Sequence, residues 1–140
     1  MEIKYEKLLS HHYNEVINLW LHTEGVGVGM GDDEEELAVF LVKNEDLCFV
    51  AKADEEIVGT ILCGHDGRRG YVYHVAVDSD YRYLGIAKTL VDMSIKGLKE
   101  AGIGKCHLFV FKNNTSAQSF WSHNGWNERT DLFIMSKTIK

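Results

Sequence analysis

One segment, Tyr73 to Lys88, changes from the period of a strand to that of a helix within a few residues. Tyr73 to Val77 is an apolar run of strand length, and a helical pattern begins near Gly85. Such a helix starts with backbone N–H groups that have no intrahelical partner, at its positive end. Gly85 lets a phosphate approach closely, and Arg82 and Lys88 add positive charge. The segment predicts an α/β fold with an anion site, or else an ordinary strand-to-helix turn.

The rest of the chain predicts the elements around this segment. Alternation predicts strands at 2–8, 47–53, 57–64, 71–77, 106–111 and 132–135, and apolar spacing predicts helices capped by Ser10, starting near Asp32 or Asp33, at 85–101 and at 115–124. The resulting order is β-α-α-β-β-β-α-β-α-β. Because the 140 residues contain no linker, repeat or low-complexity stretch, we expect one domain over residues 1–140.

Charge is distributed unevenly along the chain. Residues 1–56 carry 14 acidic and four basic side chains, a net charge of −10, whereas residues 57–140 carry seven acidic and 11 basic ones, a net charge of +4. The basic part suits an anionic ligand and the acidic part a cationic one, unless both are simply solvated surfaces. An overall charge of −6 lacks the basic footprint of nucleic-acid binding. Without a long apolar run or a signal-peptide pattern, we expect no membrane segment and a cytoplasmic location.

A glycine-rich loop and three cysteines carry little specific chemistry. The loop Gly25-Val26-Gly27-Val28-Gly29-Met30-Gly31 does not fit the dinucleotide pattern G-x-G-x-x-G and follows a helix instead of a strand. It is either a flexible linker or a mobile loop on the substrate side. The three cysteines are odd in number and show no C-x-x-C spacing, and the histidines form no H-x-x-x-H pair, so we expect neither a disulfide nor a metal site.

Two motifs resemble those of a known family. Arg82-x-x-Gly85-x-Ala87 resembles the acetyl-CoA pyrophosphate signature R/Q-x-x-G-x-G/A of the GNAT superfamily of N-acetyltransferases. Asn114-Thr-Ser-Ala-Gln-Ser-Phe-Trp-Ser-His-Asn-Gly-Trp126 is similar to that family's N-x-x-A-x-x-F-Y-x-x-x-G-F. The resemblance extends over essentially the whole chain and is closest to small bacterial single-domain members. It implies an α/β (α+β) fold with a mixed, mostly antiparallel seven-stranded sheet flanked by four helices.

The resemblance also implies a function. An acetyl group would pass from acetyl-CoA to a primary amine by direct attack in a ternary complex, and the acidic N-terminal part favours a cationic small molecule or a protein amine. A backbone N–H of Val75 or Ala76 would stabilise the oxyanion. The expected cofactor-binding residues are Val75, Ala76 and Val77 for the pantetheine arm, Arg82, Tyr83, Leu84, Gly85, Ile86, Ala87 and Lys88 for the pyrophosphate, and Asn114 and Trp121 near the pantetheine and the thioester.

The sequence departs from the family pattern at the groups that move protons. Trp121 stands where the family often has a tyrosine as general acid, and its indole has no titratable hydroxyl. The catalytic candidates are Tyr73, His65 and Trp121, and the candidate acceptor contacts are Glu24, Asp32, Asp33, Tyr71 and Tyr73. His74 is interpreted as a structural residue. The departure at Trp121 keeps an alternative open, a non-catalytic acyl-CoA-binding sensor or regulatory module, and the sequence leaves a homodimer open as well.

Overall fold

The computed structural model describes residues 2–140, which form two compact units, one ending at Phe109 and the other running from Val110 to Lys140. The second unit contains one regular element, α4 (Thr115–His123). The elements of the first unit are, in order, β1 (Ile3–Lys7), a 3₁₀ turn (Ser10–His12), α1 (Tyr13–Leu21), α2 (Glu34–Lys43), β2 (Phe49–Ala53), β3 (Glu56–His65), β4 (Gly70–Val77), a second 3₁₀ turn (Ser79–Tyr81), α3 (Ile86–Glu100) and β5 (Cys106–Leu108).

The five strands form one sheet in the order β1-β2-β3-β4-β5. The first three pairs are antiparallel and β4–β5 is parallel, because α3 carries the chain from the end of β4 back to its start. Asp66 forms the tight turn between β3 and β4, where its Oδ1 accepts from the backbone N–H groups of Arg68 and Arg69 at 2.8 and 2.9 Å. These two bonds hold the pKa of the Asp66 carboxyl below its usual value.

Helices cover both faces of this sheet. Trp20 of α1 donates its indole N–H to Thr60 Oγ1 on β3 at 2.8 Å. Gly59, the residue before Thr60, contacts α3. A Cβ added at Gly59 would lie 2.9 Å from Ile86 Cγ2 of that helix. Consecutive residues of a strand point to opposite faces, so α1 and α3 lie on opposite sides. The predicted apolar stripe of α1 is confirmed, since Val16, Leu19 and Trp20 are buried.

Two details of the predicted fold are wrong. Within residues 2–140 the sheet has five strands instead of seven, since residues 127–140 contain no regular element, and β5 ends at Leu108 instead of at 111. Leu132 to Met135, predicted as the last strand, are each at least 59% exposed. A short apolar run becomes a strand only when a neighbouring strand accepts and donates its ladder bonds, which local periodicity cannot guarantee. Ser10 is also not a helix cap, since it lies within a 3₁₀ turn whose N-cap is Leu9.

Candidate functional site

The loop before α3 presents open backbone. Tyr83 and Gly85 are both left-handed, with φ of 63° and 77°. Gly85 is the N-cap of α3 and provides no side-chain cap. Apart from its chain neighbours, no heavy atom lies within 4 Å of the position that a Gly85 Cβ would take. The first amides of α3, at Ile86, Ala87 and Lys88, have no carbonyl one turn earlier in the helix. This arrangement suits a phosphate group, which accepts several hydrogen bonds at once.

The two basic side chains near this loop, Arg82 and Lys88, do not contribute equally to its positive charge. Arg82 is exposed, and the first turn of α3 contains no acidic side chain. Lys88 Nζ, however, donates to Asp92 Oδ2 at 2.8 Å, one turn further along the exposed face of the helix. Arg82 is therefore the better placed side-chain cation, and Lys88 shares its charge with a carboxylate.

The edge of β4 that faces β5 is only partly used. Three residue pairs join the two strands, from Gly70–Cys106 to Val72–Leu108. Beyond Val72, β4 continues to Val77 paired only with β3 on its other edge. Among the described strands, none pairs with this part of that edge. Backbone N–H and C=O groups at such an edge can pair with an extended ligand. The structure thus separates β4 from β5 at the residues predicted to bind the pantetheine arm, Val75 to Val77.

A bulge interrupts β4 at the same place. Thr60 pairs with Ala76 and Leu62 pairs with Tyr73, so two residues of β4, His74 and Val75, stand opposite one residue of β3. His74 has φ of 45°, in the left-handed region that residues other than glycine rarely adopt. The extra residue of a bulge drops out of the regular ladder, which leaves backbone groups available for other partners.

An aromatic row lies along β4. The rings of Tyr71 and Tyr73 stack at 6.4 Å, Phe40 of α2 meets Tyr73 edge-on at 6.1 Å, and Phe109 stacks on Tyr71 at 6.4 Å. Tyr73 remains 37% exposed. Burial, and secondly the neighbouring Tyr71, raises the pKa of the Tyr73 phenol above its usual value. Its hydroxyl is therefore a neutral hydrogen-bond donor at physiological pH.

The predicted acidic contacts fall into two groups. Asp32 is only 8% exposed, and its carboxylate lies 2.9 and 3.0 Å from His74 Nε2 and accepts from the Gly29 backbone N–H at 3.0 Å. This carboxylate is turned inward, toward His74 and Gly29. Asp33 is exposed and caps α2 by accepting a backbone N–H of its first turn at 2.8 Å. Glu24 is exposed.

His65 lies away from the bulge. It pairs with Gly70 at the start of β4, and its Nδ1 accepts from the Gly67 backbone N–H at 3.0 Å. Five residues of strand separate Gly70 from Val75, or roughly 17 Å at 3.3 Å per residue. The hairpin therefore places His65 at the opposite end of β4, and the structure does not bring it together with the other site residues.

The buried cysteines are core residues. Cys48 Sγ accepts from the Cys63 backbone N–H at 3.3 Å, and burial raises the pKa of the Cys48 thiol to about 12. A nucleophilic thiolate is therefore disfavoured at this position. Among residues 2–140, no three His, Cys, Asp or Glu side chains are placed together to hold a metal ion. No helix in this part of the chain combines the length and apolarity needed to cross a bilayer.

The second unit carries the other two predicted residues. Asn114 is the N-cap of α4, and its Oδ1 accepts from the Ala117 backbone N–H at 3.1 Å. The Trp121 ring packs edge-on against Phe120 and Trp126, each at 5.1 Å. A capping role for Asn114 was missed in the sequence, although asparagine directly before a helix is a known signal for it. The roles of Asn114 and Trp121 in binding acetyl-CoA remain predictions of the resemblance.

Comparison with known proteins gives one family. A family model for the GNAT acetyltransferases matches residues 13–126. An acetyltransferase of Pectobacterium atrosepticum is 35% identical over 91% of this chain and 89% of its own length. An acetyltransferase of Sodalis glossinidius is 31% identical over the same shares of the two chains.

Solved structures show the same fold. The PaiA N-acetyltransferase of Thermoplasma acidophilum, in complex with coenzyme A, has a TM-score of 0.81 at 23% identity and covers 94% of both chains. An aminoglycoside acetyltransferase from an uncultured soil metagenomic sample, in complex with sisomicin, has a TM-score of 0.76 at 21% identity and covers 99% of this chain and 97% of its own.

These findings agree with the residues of the first unit. The open amides before α3 suit the diphosphate of CoA, and the unpaired edge of β4 suits its amide-containing arm. The curated relatives are acetyltransferases, which favours catalysis over the alternative of a non-catalytic sensor. The chain belongs to the GNAT family and is an N-acetyltransferase that transfers the acetyl group of acetyl-CoA to an amine.

Proposed function

We propose that the acceptor is a cationic primary amine, carried by a small molecule or by a protein. The contact between Asp32 and His74 is the observation that supports this class, because it holds the start of α2 beside the bulge of β4. Asp32 is followed at once by exposed carboxylates at Asp33, Glu34 and Glu35. The acceptor side of β4 therefore lies next to a concentration of negative charge.

The aromatic row and the carboxylates would act together on such a substrate. Tyr73 and Tyr71 present ring faces or edges beside β4, and a cation near an aromatic face gains about 0.5–2 kcal/mol. Glu24 and Asp33 would attract the amine over a longer range, more weakly as salt is added. Asp32 would not contact the acceptor directly, because its carboxylate already binds His74 and Gly29.

On the donor side, we assign the diphosphate to the loop before α3 and the pantetheine arm to Val75, Ala76 and Val77. Arg82 would supply a side-chain charge, while Tyr83, Leu84, Gly85, Ile86 and Ala87 would supply backbone. Lys88 would contribute its N–H, since its ammonium group is bound to Asp92. These assignments follow the unpaired amides and the open strand edge of the first unit.

The reaction itself asks for three things from the chain. The neutral amine nitrogen forms a bond to the thioester carbonyl carbon, the carbonyl oxygen becomes an oxyanion, and the C–S bond then breaks. We assign oxyanion stabilisation to a backbone N–H at Val75 or Ala76, where the bulge interrupts the ladder. Tyr73 would hold the water that takes the amine proton, and solvent would protonate the thiolate, because the indole of Trp121 cannot.

The structural neighbours support the acceptor class. One of them is an aminoglycoside acetyltransferase in complex with sisomicin, and another is AAC(6')-Iy in complex with a bisubstrate analogue of CoA and acetylneamine. Both share this fold, with TM-scores of 0.76 and 0.77. At 21% and 17% identity they support the class of acceptor without identifying it.

The test is an acceptor panel at fixed acetyl-CoA, with release of free thiol as the readout. Polyamines, aminoglycosides, amino acid amides and lysine-containing peptides represent the cationic class, and neutral aromatic amines and acidic amino acids serve as counter-classes. We expect turnover of cationic amines, with a KM that rises with ionic strength. Activity confined to neutral or acidic acceptors would overturn the proposal.

The homodimer, the cytoplasmic location, the lack of nucleic-acid binding and the single domain over residues 1–140 stay predictions from the sequence. Light scattering of the purified protein measures the first of these directly.

A further inference from the structure

Four side chains meet at the bulge of β4: Trp20, Thr60, His74 and Asp32. We call this group the bulge clamp. The Trp20 indole N–H donates to Thr60 Oγ1 at 2.8 Å, and the Thr60 hydroxyl donates to the backbone carbonyl of His74 at 3.2 Å. The rings of Trp20 and His74 are 4.7 Å apart. The Asp32 carboxylate binds His74 Nε2 at 2.9 and 3.0 Å.

The clamp holds His74 at both its backbone and its side chain. His74 needs this support, because its φ of 45° lies in the left-handed region, which is strained for a residue with a Cβ. Trp20 and Thr60 are fully buried, so their hydrogen bonds would be costly to break. A strained conformation persists only where surrounding contacts determine it fully, and such residues concentrate at functional sites.

The clamp also reaches the glycine-rich loop. Asp32 ends this loop, where its carboxylate accepts from the Gly29 N–H at 3.0 Å and its backbone carbonyl accepts from the Tyr13 hydroxyl at 2.9 Å. The last part of the loop, the start of α2 and the bulge of β4 are thus joined by the same carboxylate. A displacement of Asp32 would release His74 and the loop together.

We propose that the bulge clamp is a positioning device for catalysis: it holds the backbone of β4 so that the N–H of Val75 or Ala76 faces the acetyl carbonyl, and Asp32 couples this backbone to the glycine-rich loop. The proposal rests on the proposed role of that N–H as oxyanion donor. None of the four side chains needs to touch the reacting atoms. They act through the conformation of the strand.

The experiment compares Asp32→Asn, His74→Asn and the double variant with wild type. Asparagine preserves the volume of Asp32, and at position 74 it tolerates the left-handed conformation but is too short to reach Asp32. We expect each single variant to lower kcat about tenfold while the Kd of acetyl-CoA stays within twofold, because an interaction of the transition state has been weakened. The double variant should lose no more than the worse single variant, since both disrupt one unit.

Asp54→Asn is the matched control, because it removes one exposed carboxylate at the β2–β3 turn and asparagine tolerates the φ of 48° there. The proposal fails if folded Asp32→Asn keeps the kcat of this control, or if the two single losses multiply in the double variant. If the clamp were purely structural, the variants would unfold at a lower temperature, but their kcat, measured well below that temperature, would not change.

A second readout does not depend on the acceptor. Addition of acetyl-CoA to ¹⁵N-labelled protein should shift the amide signals of Val75 and Ala76 in wild type and Asp54→Asn, and shift them by less than half as much in Asp32→Asn. Equal shifts in all three proteins would overturn the clamp. If no cationic amine is turned over by wild type, the acceptor proposal fails on its own, and these amide shifts still decide the clamp.

Thr60 gives an independent variant, should either substitution at the ion pair prevent folding. Thr60→Val removes the hydroxyl at nearly constant volume, and Thr60→Ser restores it. We expect Thr60→Ser to keep the wild-type amide shifts and Thr60→Val to lose them. Retention of the shifts in Thr60→Val would contradict a role for the clamp in holding the bulge.

Discussion

Helices α2 and α3 both follow loops that contain glycine, yet their N-termini are satisfied in opposite ways. At α2, Asp33 caps the helix at 2.8 Å, the first turn holds three glutamates, and Gly31 N donates to Glu36 Oε1 at 3.3 Å. At α3, the N-cap is Gly85, no side chain caps the helix, and the first turn contains no acid. The positive end of α2 is occupied by the chain's own carboxylates, and that of α3 is left open.

This difference supports the proposal that one structural element, the helix N-terminus, serves both substrates. The dipole at a helix N-terminus favours negative charge in either case. Where the sequence supplies that charge, the helix end becomes an acidic surface that suits a cationic amine. Where it supplies only glycine and small residues, the same end is available to the diphosphate of acetyl-CoA.

The largest effect is expected from filling the open helix end. Gly85→Glu places a carboxylate where the diphosphate should bind, and we expect the Kd of acetyl-CoA to rise at least 100-fold. At a concentration near 100 times the wild-type Kd, the ligand should stabilise wild type by about 2.7 kcal/mol and the variant hardly at all. Thermal unfolding with and without acetyl-CoA measures this.

Two controls accompany this substitution. Gly104→Glu adds the same charge at another glycine with open space around its Cβ and no positive φ, and it should bind acetyl-CoA like wild type. Gly85→Ala introduces only the strain of the left-handed conformation and should bind with intermediate affinity. Wild-type binding by Gly85→Glu would remove the diphosphate from this loop.

Removal of the side-chain cation at the open end should have a smaller effect. Arg82→Ala removes the charge that we assign to the diphosphate, and we expect acetyl-CoA to bind about tenfold more weakly, with a flatter salt dependence. Calorimetric titration at two ionic strengths gives both quantities. Arg68→Ala, an exposed arginine of the β3–β4 turn, is the charge-matched control. Equal affinities of the two variants would argue against Arg82 as a ligand.

The loop before α2 offers a matched pair of glycines. Gly31 has φ of 92° and Gly29 has no positive φ, and both have open space where a Cβ would lie. Gly31→Ala should therefore cost roughly 1–2 kcal/mol of unfolding free energy through backbone strain alone, whereas Gly29→Ala should be nearly neutral. Urea unfolding measures both. Similar stabilities would mean that the loop adapts without cost.

The smallest effect is expected at the cap of α2. Asp33→Ala removes the hydrogen bond to the first turn and should lower the unfolding free energy by about 1 kcal/mol, whereas Asp33→Asn keeps the cap. Urea unfolding of the two variants separates the cap from the charge. Only the charge should affect the KM of a cationic acceptor, so both variants should raise it, and an unchanged KM would remove Asp33 from the acceptor side.

Local signals explain which parts of the fold were predictable. The helix α2 starts directly after Asp33, as the run of acids predicts, and α3 spans Ile86–Glu100 within the predicted range. The predicted strand at Leu132–Met135 is wrong because strand formation needs a partner elsewhere in the chain. The same reason explains why β5 ends at Leu108.

The site shows the same division. The glycine signature at Gly85 and the residues of the β4 edge follow from short-range sequence, and the structure leaves them open as predicted. The inward orientation of Asp32 and the distance of His65 from the bulge do not follow from short-range sequence. Nothing in the sequence around Asp32 indicates that a histidine 42 residues later will bind its carboxylate.

By itself, the sequence determined the family, the acetyl-CoA signature and most of the element order, because these depend on residues close together in the chain. Only the tertiary structure decided that β4 carries a bulge, that Trp20 and Thr60 support it, and that Asp32 reaches it from the glycine-rich loop. Bulges and buried hydrogen bonds depend on which strands and helices meet. Which elements meet is determined by packing across the whole sheet, and the periodicity of the local sequence does not predict it.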